Sequence, residues 1–473
     1  MNLHRDILRL AVPSILANIT VPLVGMVDIA VAGHLGATGG LGAAALIGGI
    51  SIGTMLFDML YWNFGFLRGG TGGLTAQAYG RYLASSKEAS LAGVQEAETD
   101  IALTFKRALG IAFGSGLILI ALQWVVVQVA FLLVDCSPEV QTLATQYFYI
   151  RIWAAPATLS LFAFKGWFIG MQDTVRPMIC DLIVNATNIF LSIGLGFGYA
   201  GLPALGFAGV AWGTFFAQWT GFVYASIAVR RRYGAFFRPP HGEQKRPRLF
   251  SRGDRGWLAF FVLNRDLFFR SVCMIAVYIG FTMISARYGD MMLAVGAILM
   301  KLLMIFSYFT DGFAYAGEAL TGRFIGEGSP DGVRSTIRQT FLWCLGVTAL
   351  FFLVYGVGGV PLLRLMTSDP SVVEAGREFI PWLLLMPIIG CPAFTWDGIF
   401  MGATASKDLR NSTAWCVVGF FGVWFIGIGL LKGILGTVSE SIAIHLLMAA
   451  YFAHLLVRAA YLTLRWRKAI PYA

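Results

Sequence analysis

Twelve apolar stretches, each about as long as a bilayer is thick, follow one another along the chain. They fall at roughly 8–34, 43–67, 105–134, 140–164, 176–199, 206–229, 266–287, 291–318, 339–363, 378–400, 411–431 and 440–464. With 57 % of residues hydrophobic and 13 % charged, a soluble domain could not cover its apolar surface. Each run is long and separated from the next by Gly, Pro and charges. That predicts an all-α polytopic membrane protein and not a β-barrel, because only a helix satisfies its own backbone within one segment. The first stretch begins almost at residue 1 and exceeds the apolar core of a signal peptide. No small-residue cleavage site follows, so it is expected to stay as an uncleaved span.

Lysine and arginine sort by loop. With the N-terminus inside, 26 of the 35 lie on the cytoplasmic side and four on the outside. The other five, Arg68, Arg151, Arg265, Arg270 and Lys301, lie within or at the edges of spans. This bias predicts both termini in the cytoplasm. It also accounts for the net charge of +10 without a nucleic-acid partner. The longest basic stretch, Arg230 to Arg255, falls between the sixth and seventh spans and contains Pro239 and Pro240. It reads as a cytoplasmic linker, 230–256, between an N-terminal six-helix lobe, 1–229, and a C-terminal one, 257–473. Anionic lipid headgroups are its expected partner.

No enzyme constellation is visible. The six cysteines are scattered with no CxxC, which implies neither metal nor disulfide. The five histidines are dispersed, and there is no HExxH and no phosphate-binding Gly-rich loop. An ion gradient is therefore the expected energy source, with no cofactor.

The two halves repeat each other. The second span ends in GGLTAQAYG (Gly72 to Gly80) and the eighth in EALTGRFIG (Glu318 to Gly326), sharing LTxxxxG. The fourth ends in KGWFIGMQDTVR (Lys165 to Arg176) and the tenth in DGIFMGATASKDLR (Asp397 to Arg410), sharing GxFxG. Asn18 and Asn264 fall in register with the first match. Small residues recur in membrane helices anyway. Two ordered matches at corresponding spans nevertheless favour parallel six-helix repeats related by a pseudo-twofold along the membrane normal.

Within the first span, Leu8 to Leu35, the only acidic residue is Asp28, and Pro13 and Pro22 each remove a backbone donor. A carboxylate near mid-bilayer costs about 3 kcal/mol or more. It is either an ion or proton site on a bendable helix or a group that bonds a neighbouring helix. In the second half, Asp311 and Glu318 lie seven apart on one helix face, with Arg270, Lys301 and Asp397 near them in the repeat scheme. Structural ion pairs and a second ion or substrate-charge site both fit. Met26, Phe57, Tyr61 and Trp62 are candidates to line a substrate cavity with soft, polarizable walls.

The stretches LAVPSI, GFLRGGTGGLTAQAYGR, NRDLFFRS, DGFAYAGEALTG and DGIFMGAT resemble the multidrug and toxic compound extrusion (MATE) family, in its DinF-type branch. The resemblance implies a V-shaped pair of six-helix lobes in the inner membrane, expected as a monomer. It implies an exporter of small hydrophobic, often cationic compounds, driven by inward protons or sodium ions. It also implies a coupling network in the first lobe. Asp28 matches the family's first-span Asp, Asn185 and Asn188 match its NxxNxxLD, and Thr214 its sixth-span Thr. Ser192 stands where many members carry Asp. With one carboxylate missing, proton coupling is expected over sodium coupling, since sodium benefits from several oxygens while a proton needs one titratable carboxyl. Ordinary interhelical bonding remains the other reading of these amides and hydroxyls. A lipid-linked saccharide flippase of the same wider superfamily is the rival function. It would predict more helices or a cleft lined by several arginines.

Overall fold

The structure, a computed structural model, describes residues 3–38, 42–133, 136–237, 255–288, 290–367 and 369–472. These form sixteen α-helices, and no strand occurs among the described residues. In chain order they are α1 (Leu3–Thr38), α2 (Ala43–Trp62), α3 (Phe66–Lys87), α4 (Leu91–Ala121), α5 (Gln123–Leu133), α6 (Pro138–Arg151), α7 (Ala155–Gly170) and α8 (Val175–Phe197). Then come α9 (Phe207–Tyr233), α10 (Arg255–Ala286), α11 (Asp290–Gly326), α12 (Pro330–Met366), α13 (Pro370–Arg377), α14 (Ile380–Gly402), α15 (Ser406–Leu435) and α16 (Glu440–Ala469).

Among the described residues, eleven helical stretches are long and apolar enough to cross a membrane. Two of them join consecutive helices, α2 with α3 and α6 with α7. The expected sixth span is α9, 27 residues long, which is not one of the eleven. Trp, Thr, Gln and Gly dilute its apolar run, and Arg230, Arg231 and Arg232 end it. At about 1.5 Å per residue it is still long enough to cross a bilayer. The expected third span is split, with α4 ending at Ala121 and α5 starting at Gln123.

The chain divides into two compact units, Leu16–Trp257 and Met1–Ile15 with Leu258–Ala473. The first turns of α1 thus group with the second half and not with the lobe 1–229. Helix α1 runs unbroken through Pro13 and Pro22. Most of the expected linker, including Pro239 and Pro240, lies outside the described residues.

The repeated motifs do the same packing job in each unit. A Cβ placed on Gly166 would collide with the Arg68 carbonyl of α3, and one on Gly398 with the Ala314 carbonyl of α11. One turn later Gly170 meets the Gly72 carbonyl, and Gly402 meets that of Glu318. Glycine is needed at these four positions because helix backbones touch there. The turns that follow also match. Met171 N–H donates to Trp167 O (2.9 Å) and Asp173 N–H to Phe168 O (2.9 Å). In the second unit Ala403 N–H donates to Ile399 O (3.0 Å) and Ala405 N–H to Phe400 O (3.0 Å). Gln172 (φ 59°) and Thr404 (φ 55°) occupy the same left-handed position. The helices that follow α3 and α11 start alike too, with Ser90 accepting from Gly93 N–H at the head of α4 and Ser329 from Gly332 N–H at the head of α12.

Candidate functional site

In the first unit α1, α8 and α9 share a polar seam. Asp28 is buried, at 5 % exposure. Ser192 Oγ of α8 donates to its Oδ1 at 3.1 Å. Ser192 lies at a close approach of α9, since a Cβ on Gly213 would sit 2.7 Å from the Ser192 amide nitrogen and hydroxyl. One turn earlier on α8, Asn188 Nδ2 donates to Thr214 Oγ1 (2.9 Å), and Thr214 in turn donates to Val210 O (3.3 Å). Asn188 Oδ1 is buried with no hydrogen-bond partner among the described residues. One turn before that, Asn185 Nδ2 donates to Thr20 Oγ1 of α1 (2.8 Å). The spacing of 185, 188 and 192 places all three on one face of α8.

The five expected coupling residues therefore occupy one seam, as three separate hydrogen-bonded pairs. Among the described residues only Ser192 is bonded to Asp28. Asn185, Asn188 and Thr214 satisfy other partners, because the amides reach across α8 to the nearest hydroxyl of α1 or α9.

Sequence reasoning missed Arg151, at the end of α6. Its Nη1 donates to Tyr147 OH (3.1 Å), and its guanidinium lies 4.6 Å from the centre of the Phe57 ring. It interacts electrostatically with both Asp28 and Asp58. Such a cation–π seat holds the guanidinium without neutralising it. The signal was present, since Arg151 is one of the few cations inside an apolar stretch. Nothing in the local pattern shows which carboxylate it faces.

The expected cavity residues separate. Met26 and Trp62 are exposed, at 66 % and 39 %. Phe57 and Tyr61 are buried, with Phe57 stacked on Phe148 at 4.9 Å and beside Tyr61 at 5.3 Å. They form aromatic packing under Arg151 and are not placed at a surface.

In the second unit Asp397 of α14 is clasped by two arginines. Arg458 Nε donates to its Oδ1 at 2.9 Å, and Arg270 and Arg458 both reach Oδ2. Arg458 also lies over the Phe394 ring (5.7 Å) and interacts electrostatically with Asp311. Arg270, Asp397 and Asp311 thus come together around Arg458, a residue not singled out in the sequence. Two acids facing two bases is the composition of a structural ion-pair set. Lys301 stands apart, in a cleft beside Tyr278. Glu318 is buried lower on α11.

Comparison with known proteins decides the family. The MatE family profile matches residues 90–193 and 267–424, more than half of the chain. The chain belongs to the MatE family. This MatE protein is 33 % identical over 417 residues to DNA damage-inducible protein F of Escherichia coli (strain K12), covering 87 % of this chain and 83 % of that protein. It is 22 % identical to the probable multidrug resistance protein NorM of Thermotoga maritima, over 93 % of this chain and 90 % of that one. Its fold matches the Vibrio cholerae MATE transporter VcmN in the bent form with a TM-score of 0.77 at 16 % identity, covering 99 % of this chain and 97 % of the other. MatE proteins are transporters, not enzymes, and this one is an all-helical, multi-pass member with the DinF-type resemblance noted above.

Proposed function

We propose that this MatE protein is a proton-coupled antiporter that exports small hydrophobic, often cationic compounds across the inner membrane, with both termini cytoplasmic. The observation that carries the proposal is Asp28, a buried intramembrane carboxylate hydrogen-bonded by one hydroxyl, Ser192. A sodium ion needs several oxygen ligands to replace its water, and Asp28 has one oxygen-bearing side chain, Ser192, bonded to it among the described residues. A proton asks only for the carboxyl itself, and an acid that gains and loses a proton in a dry site is suited to coupling.

Proton binding removes the charge that Ser192 and Arg151 stabilise. It thereby alters the balance between two shapes of α1, which lacks a backbone donor at Pro13 and at Pro22 and so bends there at low cost. Substrate and proton then act on the same equilibrium, each through its difference in affinity for the two shapes.

The test is Asp28→Asn, which copies the neutral acid and cannot cycle. It is expected to insert and fold with wild-type yield yet fail to confer resistance on a sensitive host. Wild-type export by Asp28→Asn under a pH gradient would refute the assignment.

A further inference from the structure

The ion-pair set around Arg458 leaves one intramembrane cation out. Lys301 lies eleven residues into α11, which begins at Asp290. That is about 16 Å along the helix, close to the middle of a hydrocarbon layer about 30 Å thick. Four methylenes are too short to carry its ammonium from there to either interface. Among the described residues it makes no ion pair and no hydrogen bond, and it is exposed at the surface of the second unit. An ammonium left without an anion at that depth is unfavourable, and such residues mark pathways or binding sites.

Lys301 opens onto a cleft of about 110 Å³ between α10 and α11. Tyr278, Thr282 and Ser285 bring hydroxyls to the cleft, and Met300 and Met304 form its soft apolar wall. The volume suits a head group of a few heavy atoms. The open side leaves room for an apolar body to lie along the helices. A phospholipid phosphate stays at the interface, more than a lysine's reach away, so the anion has to belong to a molecule that enters to mid-depth.

We propose that Lys301 and the cleft beside it bind the carboxylate or sulfonate of an amphiphilic ligand, so that the protein accepts acidic and zwitterionic compounds as well as cations. Lys301 supplies three charge-assisted donors to the oxyanion. The methionines contact the body of the ligand. The site lies wholly within the second unit and does not depend on the role of Asp28.

The test uses full-length protein in lipid nanodiscs. A dansyl-labelled undecanoic acid is titrated against its methyl ester, with the signal of protein-free nanodiscs subtracted. The wild type is expected to bind the acid about tenfold tighter than the ester, the scale of one charge-assisted hydrogen bond. Lys301→Arg should keep that preference. Lys301→Met should bring acid and ester to parity through loss of acid binding alone, and Lys301→Gln is read in its place if the Met variant does not fold. Asp28→Asn should leave the ratio unchanged, which separates this site from the coupling site. An acid preference that survives in Lys301→Met or Lys301→Gln would overturn the proposal. So would the absence of any preference in the wild type beyond that of protein-free nanodiscs.

Discussion

Asp28 accepts one side-chain hydrogen bond among the described residues, from the Ser192 hydroxyl. Removing that hydroxyl costs one hydrogen bond, about 1 kcal/mol, so Ser192→Ala should slow transport by less than about tenfold. Replacing it with an acid should do more. Ser192→Asp puts a second carboxylate beside Asp28 and should confer measurable sodium dependence on transport in vesicles. If Ser192→Asp transport stays indifferent to sodium, oxygen count is not what selects the ion. Arg151→Gln removes the cation that faces Asp28 and Asp58 while leaving a side chain over Phe57. It should depress transport more than Ser192→Ala does, with Arg151→Lys intermediate because it keeps the charge but loses the planar stack. Asp28 and Ser192 were legible in the sequence because a charge and its absence stand out in apolar runs. Arg151 and Thr20 were not, because their partners lie far along the chain and only the fold brings them close. Phe57 is buried beside Tyr61 and Phe148, and a lone aromatic in an apolar run fits a cavity wall and a packed interior equally well.

The helix pairs α3 with α7 and α11 with α14 depend on glycine at matching places. Gly398→Ala should lower stability by about 1–3 kcal/mol or more, since the clash is with backbone and neither helix can yield locally. Gly110→Ala, on α4 with nothing within 4 Å, should be neutral or stabilising by up to about 1 kcal/mol. Thermal melts in detergent compare the two, and equal effects would mean that the close approach is not limiting. At the end of α13, outside the spanning stretch Ile380–Gly402, Glu378 accepts from Ser441 and is bonded to His445, and these bonds hold its carboxyl below the usual 4.5. A lowered folded value means that its contribution is present above the unfolded value and lost as pH falls through the folded one. A melt series between pH 6 and pH 3 should therefore show an acid-side loss that Glu378→Gln reduces. The GxFxG and LTxxxxG motifs marked the repeat of the two halves in the sequence, while the helix pairings they make came only with the structure. The left-handed turns at Gln172 and Thr404 were hidden, because neither is the Gly or Asn that marks such a turn.

For the whole molecule, hydropathy carries the architecture, because lipid leaves a backbone so few choices. The divide at Ile15 and Leu16, inside α1, was invisible, since the apolar pattern crosses it without interruption. So was the polar character of α9, whose length is right but whose composition is not that of its neighbours. The central claim, that one carboxylate exchanges protons for substrate, is tested most directly in proteoliposomes holding the purified wild type and a cationic fluorescent dye. A pH gradient at equal sodium is expected to drive dye movement, a sodium gradient at equal pH to drive none, and Asp28→Asn to respond to neither. Dye movement driven by sodium alone in the wild type, or by the pH gradient in Asp28→Asn, would contradict the account.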